Sequence, residues 1–548
     1  MQVYAQQRIY KIVIDAKKKA GLLKPIWAFF GYDEPNYTYM KDGRKLLTEL
    51  AQMSKIPVYV RVHNLLTTGD GIPALKWGST NAYTEDAKGN PIYNWHIVDS
   101  IFDTFIERGM KPIAEIGFMP KALSIKPEPY QHHWKPGVAY DSIYTGWAYP
   151  PKSYEKWAEL VYQWVKHSIE RYGESEVKTW YWEVWNEPNI GYWKGTREEN
   201  FKLYDYSADA VKRALPSAKV GGPTTTGPRW DLAADFLKTF LEHCLNGKNY
   251  ATGKKGTPLD YITFHAKGEP KVVNSHVRMN MAVQLQDIEK GFEIVASFPA
   301  YRKLPIVIGE SDPEGCAACS VDFNPQNAYR NGTMYSSYTA ASFTRIFALA
   351  EKYGVNIEGA VSWSFEFENQ KWFAGFRDLA TNGIDKPVLN VFRMFNLMEG
   401  NMLMRTNEHA IALDSLVLRG VHSWQTDVDV LASADEHSLS AIVWNYHDDD
   451  DVQDSLKMAQ VNLLVKNIPA EKVLIYHYRV DKQFSNSYEA WKQMGSPQNI
   501  SQQQYGQLEQ AGQLQLFTSP VWTDVKNEEM PVHFSLPLQA VSLIKIVW

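Results

Sequence analysis

Between residues 26 and 400, short apolar runs of strand length alternate with longer stretches in which apolar residues recur every three or four positions. That alternation marks parallel strands joined by crossover helices. The apolar runs lie at 26–30, 58–62, 112–116, 181–185, 219–222, 261–264, 306–308 and 359–363. The stretch between the third and fourth runs shows how the helices read. Trp157, Leu160, Val161, Trp164, Val165 and Ser168 form one stripe, Ser153 stands where a cap is needed, and Gly173 follows the end. Similar stripes occupy 97–106, 236–241, 343–349 and 388–398. Eight strand-and-helix units predict an α/β fold, a (β/α)8 TIM barrel over residues 21–400.

From about residue 401 the pattern turns β-rich, with runs at 439–446, 461–465, 473–480 and 538–547 and no long helix between them. This predicts an antiparallel β-sandwich over 401–548. In the N-terminal segment 1–20, residues 8–14 carry Ile9 and Ile14 and are expected to add a strand to that sandwich. The acidic run 448–451 lacks the spaced oxygen ligands of a calcium loop and reads as a solvated turn.

Charge then narrows the classes. Across 548 residues, 57 basic side chains face 62 acidic ones without blocks, a net charge of -5 that gives no electrostatic grip on nucleic acid or an anionic membrane. No stretch approaches the roughly 18 consecutive apolar residues that span a bilayer. Three cysteines rule out a disulfide scaffold. Cys316 and Cys319 have a Cys-x-x-Cys spacing without a thioredoxin-like context, which leaves a local disulfide or two free thiols. The opening Val3-Tyr4-Ala5-Gln6 fits the stub of a trimmed export signal as well as an ordinary terminus, and a secreted or periplasmic setting is the expectation drawn from it. The 19 Trp, 31 Tyr and 23 Phe suit a large core, and equally a carbohydrate site, where flat rings stack on sugar faces.

In a barrel of this type the active site forms where the strands end. The second run ends Arg61-Val62-His63-Asn64, the fourth Trp185-Asn186-Glu187-Pro188, the sixth His265-Ala266-Lys267, the seventh Gly309-Glu310-Ser311-Asp312, and the eighth Trp363-Ser364-Phe365-Glu366. Carboxylates at the mouths of the fourth and seventh strands face each other across the opening. Glycosidic hydrolysis needs such a pair: one group protonates the departing oxygen, and the other attacks the anomeric carbon or activates water there.

The segment Glu183-Val184-Trp185-Asn186-Glu187-Pro188 resembles the acid/base motif of barrel-type retaining glycoside hydrolases. Together with Arg61-x-His63-Asn64, His265 and Glu310 it resembles glycoside hydrolase family 39, which contains β-xylosidases and α-L-iduronidases, over nearly the full length of the chain. The resemblance implies Glu187 as general acid/base, Glu310 as nucleophile, and Asn186 on the sugar 2-hydroxyl. It also implies carboxyls about 5 to 5.5 Å apart. A protonated Glu187 calls for apolar walls such as Trp185 and a neighbouring anionic Glu310, while Arg61 and His63 are placed to keep Glu310 ionised. Because consecutive strand residues point to opposite sides, Asn186 and Glu187 predict an irregular strand end.

Each choice has a plainer reading beside it. Glu183 is expected to be a buried, hydrogen-bonded acid, and His63 and His265 could be satisfied core histidines. Trp363 is expected as a sugar platform rather than mere packing, and Asn64 as a further substrate contact. Glu366 and Glu368 are either rim acids that read hydroxyls or solvated groups. Residues 118–151, rich in Tyr, His and Trp, form too long a connection for an ordinary loop and are expected to wall the pocket so that it takes only a terminal sugar. A β-xylosidase-like exo-enzyme is the expected function. Lys267 and Arg377 support the alternative of a uronate-gripping, iduronidase-like or other pyranosidase, and a non-catalytic sugar binder on the same barrel is the third reading. The expected partner is an oligosaccharide or glycoside. Neither a metal nor an organic cofactor is expected.

Overall fold

The apolar runs become the staves of one parallel ring. The computed structural model describes residues 8–363, 366–422 and 424–548. Its barrel strands are β1 (Phe29–Tyr32), β2 (Tyr59–Val62), β3 (Lys111–Ile116), β4 (Tyr181–Val184), β5 (Lys219–Thr225), β6 (Tyr261–Lys267) and β7 (Pro305–Asp312), followed by a stave broken into β8 (Asn356–Ala360) and β9 (Ser362–Trp363). Neighbours pair in parallel throughout. The break lets the last stave change partners. β8 pairs with β7, whereas Ser362 and Trp363 of β9 lie opposite Phe30 and Gly31 of β1, which closes the ring. The first stave begins later than its apolar run. Residues 26–28 form a buried turn, and Trp27 owes its character to stacking on Phe395 rather than to strand pairing.

Outside the ring lie α1 (Lys41–Met53), α2 (His96–Ile106), α3 (Tyr154–Tyr172), α4 (Arg197–Ala214), α5 (Asp231–Asn246), α6 (Met281–Ala296), α7 (Thr333–Tyr353) and α8 (Pro387–Asn396). Helix α3 follows from its sequence in each detail. The Ser153 side chain accepts the Lys156 amide, the stripe from Trp157 to Ser168 is buried, and Gly173 turns the chain at φ 85°.

The remaining strands form one nine-stranded sheet that curls around its own core. In spatial order they are Gln515–Asp524, Lys472–Val480, Ala540–Val547, Ser438–Tyr446, Asp427–Ala434, Asn401–Asn407, Ile9–Leu22, Met458–Lys466 and Glu529–Pro537. All neighbours are antiparallel except Ile9–Leu22 against Met458–Lys466. Ile12, Ile14, Val430, Val443, Leu463, Leu536 and Ile544 meet in the core. Helices Ser487–Gln493 and Gln502–Gly512 interrupt this region, where the sequence pattern suggested no long helix, and they bury Trp491 and Leu508 beside Phe373 and Ile384. The acidic run is not a solvated turn throughout. Asp448 and Asp449 are buried: Asp448 accepts the Met281 and Val421 amides and the Tyr446 hydroxyl, and Asp449 pairs with His276 and Arg278. Met281, His276 and Arg278 belong to the barrel part of the chain, so the acids tie barrel to sandwich.

A second tie is wholly buried. Arg345 of α7 bonds Asp427 at 2.8 Å and Asp429 at 3.0 Å, and its guanidinium lies over the Trp444 ring. Removing one partner of a buried ion pair strands the other charge away from water. Arg345→Met is therefore expected to lower stability by about 3 to 5 kcal/mol, measured as the shift in urea unfolding. A loss within experimental error would show that the tie is not holding the two layers together.

Candidate active site

Strand β4 stops at Val184, and the chain then takes a path that no regular strand allows. Trp185 and Glu187 have φ values of 68° and 42°. For residues with a Cβ this left-handed conformation costs roughly 1–2 kcal/mol each. The Glu187 amide donates to the Thr224 carbonyl at 2.9 Å, which fixes the turn. This is the irregular end that the Asn186-Glu187 pair demands. Asn186 faces Arg61, and Glu187 reaches the cavity. Trp185 does not wall Glu187. Its indole packs on Phe118, Trp157 and Trp193 and donates to the Tyr192 carbonyl.

Beneath the mouth, Arg61 is wholly buried and organises four strand ends. Its guanidinium donates to Glu183, to Glu115 at 2.9 Å and to Asn186 Oδ1 at 2.9 Å, and it stands 3.6 Å from Glu310. It also donates to His63 Nε2 at 2.9 Å, so His63 is left to donate from Nδ1 to Asp33. Burial lowers the His63 pKa to about 4 and keeps the ring neutral. Glu183 is thus the buried, bonded acid that its position suggested. Arg61 and Asn186 act from below the cavity rather than lining it.

Glu187 and Glu310 come together. One oxygen of each, with His265 Nδ1, lies within 4.8 Å of the other two atoms. His265 Nδ1 stands 2.8 Å from Glu187 and 3.5 Å from Glu310. The Lys267 ammonium bridges them, 3.0 Å from Glu187 and 2.8 Å from Glu310, and Arg377 adds a bond to Glu310 at 3.2 Å. Burial alone would raise both carboxyls. Lys267 and His265 outweigh it at Glu187, and Arg377 and Arg61 join them at Glu310, so both are held below the ordinary carboxylate range. The apolar environment that would keep Glu187 protonated is therefore absent here. Glu187, His265 and Glu310 could each offer one atom to a metal ion, but Lys267 already supplies the cation that both carboxylates share.

The other sequence-predicted residues divide by position. Trp363 floors the cavity, with its ring over Arg61 and 4.5 Å from His63, and its amide is held by Asp312 at 2.6 Å. Gly31 permits this close approach, since a Cβ there would lie 2.5 Å from the indole. Asn64, at φ 62°, shapes a turn by donating to the Asp33 carbonyl and accepting from Thr67. Glu366 and Glu368 are neither rim acids nor solvated. Glu366 is buried on the Gly383 amide, and Glu368 accepts the Asp42 and Gly43 amides at the start of α1. Ser364 and Phe365 of the same strand end lie outside the described residues, as does the opening 3–6.

Several lining residues escaped sequence reasoning. Asp33 and Lys76 form a buried pair at one end of the cavity, beside Tyr140 and Tyr192, whose hydroxyls are 3.0 Å apart. Asp33 directly follows β1, so the strand-end rule finds it once that stave is set correctly. Tyr140 comes from the 118–151 connection, in which Phe118 and Tyr144 pack on Trp147 while Tyr130 and His132 pack on Trp77. The opposite end is lined by Thr226, Gly227, Arg229, Trp230, Val283 and Asp287. Cys316 and Cys319 are joined as a disulfide beside the cavity, and the carbonyls of both accept from Arg330. The whole cavity encloses about 370 Å³.

Comparison with known proteins identifies the family. Residues 10–522 match the model of glycosyl hydrolases family 39. The chain is 28% identical to a β-xylosidase of Geobacillus stearothermophilus over 81% of this chain and 78% of that one. It is 26% identical to an α-L-iduronidase of Mus musculus over 91% and 75% of the two chains. Among solved structures, a monomeric β-xylosidase from Caulobacter crescentus CB15 superposes with a TM-score of 0.74 at 21% identity, covering 98% of this chain and 99% of that one, which shows the shared barrel-and-sandwich fold. With a family match running through barrel and sandwich alike, the chain belongs to glycosyl hydrolases family 39 and is a glycoside hydrolase acting on a glycoside substrate.

Proposed function

We propose that the chain is a retaining, exo-acting β-xylosidase with Glu310 as nucleophile and Glu187 as acid/base. The observation that carries this reading is the approach of the two carboxyls, with one oxygen of each within 4.8 Å. That suits direct attack, whereas an inverting pair stands about 6.5–9.5 Å apart to admit a water. In the first step a Glu310 oxygen bonds to the anomeric carbon, the glycosidic C–O bond breaks, and Glu187 gives its proton to the leaving oxygen. In the second, Glu187 takes a proton from water, the hydroxide displaces Glu310, and the sugar leaves with its configuration retained.

The cations divide the labour. Arg61 and Arg377 lie behind Glu310 and keep it an anion. Lys267, partly exposed to the cavity, occupies the space between the carboxyls that a sugar ring must enter. As the sugar displaces that ammonium, His265 still favours the Glu187 anion, while burial and the neighbouring Glu310 anion favour its protonated form. The Asp33, Lys76, Tyr140 and Tyr192 end blocks the cavity beyond the terminal ring, in keeping with exo action. The β-xylosidase relative favours xylose. A second reading, a uronide substrate, is favoured by Lys267 and Arg377 beside Glu310 and by the α-L-iduronidase relative. An exported setting belongs to the same proposal and is supported by the Cys316–Cys319 disulfide, a bond that persists in oxidising compartments.

A panel of chromogenic monosaccharide glycosides tests the assignment. The xyloside is expected to be hydrolysed, and Glu310→Ala to abolish turnover until azide restores it as an inverted glycosyl azide. Cleavage of the iduronide alone would select the second reading, and unimpaired turnover by Glu310→Ala would refute the nucleophile. The pH profile gives a separate check. Because Lys267 holds Glu187 low, Lys267→Met is expected to raise the Glu187 pKa and to move the descending limb of kcat/KM to higher pH by about 1 to 2 units. An unmoved limb, or one displaced toward acid, would contradict the role given to Lys267.

A further inference from the structure

The cavity has a second end, away from the Asp33–Lys76 pair. There it runs across residues 226–230, the turn between β5 and α5, and along α6. This turn is fixed from two sides. Asn189, two residues after Glu187, donates from its side chain to Thr226 Oγ1 at 2.7 Å and accepts the Thr226 amide at 3.0 Å. From below, the buried Asp287 of α6 accepts the Arg229 amide at 2.9 Å. Gly227 makes room for that carboxylate, since a Cβ there would fall 2.2 Å from Asp287 Oδ2. The turn delivers Trp230, whose side chain lines the cavity with Ile190 and Val283 while the residue remains 54% exposed. Trp230 therefore presents a solvent-facing indole at the open end of the cavity from a turn held on two sides.

We propose that Trp230 is the residue that carries the leaving-group sugar, its indole serving as the platform on which a pyranose ring of the substrate or of an acceptor stacks. This rests on the reading of Glu187 as the acid. The leaving oxygen takes its proton from Glu187, so the departing group lies on the Glu187 side of the cleft, and the Asn189–Thr226 bonds make residues 226–230 the adjoining wall. An indole face suits the apolar face of a pyranose. The subsite also works in reverse. A hydroxyl of a bound pyranose gives its proton to Glu187, its oxygen attacks the anomeric carbon of the glycosyl ester on Glu310, the ester C–O bond breaks, and a new glycosidic bond forms as the carboxylate is released.

Partitioning of that ester tests the subsite apart from its formation. With an aryl β-xyloside as donor and methyl β-xyloside as acceptor, or an aryl iduronide donor if the panel selects that sugar, the ratio of transfer to hydrolysis is read from the products. Trp230→Ala is expected to lower the ratio about tenfold, and Trp230→Phe to keep most of it. Donor turnover with a ratio unmoved by Trp230→Ala, or a wild-type chain that forms no transfer product, would overturn the platform while leaving the glycosidase reading intact. A wild-type chain that leaves every aryl glycoside uncut would overturn both.

Discussion

Two carboxylates buried side by side repel each other and lose their hydration, so a fold that holds them together must supply cations at close range. Here Lys267 bridges Glu187 and Glu310, while Arg61 and Arg377 reach Glu310 from behind. Much of the local architecture follows from this demand. Arg61 must be buried beneath the mouth, and its remaining donors are then committed to Glu115, Glu183, Asn186 and His63, each at a strand end. A cluster of this kind is costly unless nearly every charge is partnered.

On the proposed reading, the same charge balance gives Glu187 and Glu310 different dependences on substrate. The arginines of Glu310 are buried beneath the mouth and stay when a sugar enters. The lysine of Glu187 stands in the sugar's path. A resting site with both carboxyls ionised can thus become one in which Glu187 alone gains a proton, without movement of the barrel.

Much of this was legible in the sequence, because strand period, helix stripes and the strand-end rule all act locally. Ser153, Gly173 and the α3 stripe fix their helix by nearest-neighbour chemistry, and the consecutive Asn186 and Glu187 required an irregular strand end. What the sequence hid depends on contacts between distant segments. The left-handed Trp185 carries no glycine to announce it, and it swings away the ring that seemed to be Glu187's apolar wall. Asp448 and Asp449 look solvated until segments more than a hundred residues away are packed over them. Glu366 and Glu368 look like rim acids until the Gly383 amide and the start of α1 claim them. Asp33 was missed for a local reason, since the apolar character of residues 26–28 belongs to a packed turn and moved the first strand end forward.

The central claim is that Glu310 forms a covalent bond to the sugar. The most direct measurement is to trap that bond with a 2-deoxy-2-fluoro glycoside bearing a dinitrophenyl leaving group, using the sugar the enzyme cleaves, and to locate the label by mass spectrometry of the digested protein. A single fluorosugar on the peptide containing Glu310 is the result expected. A label on another carboxylate, or rapid consumption of the reagent with inverted product and no labelled protein, would contradict it.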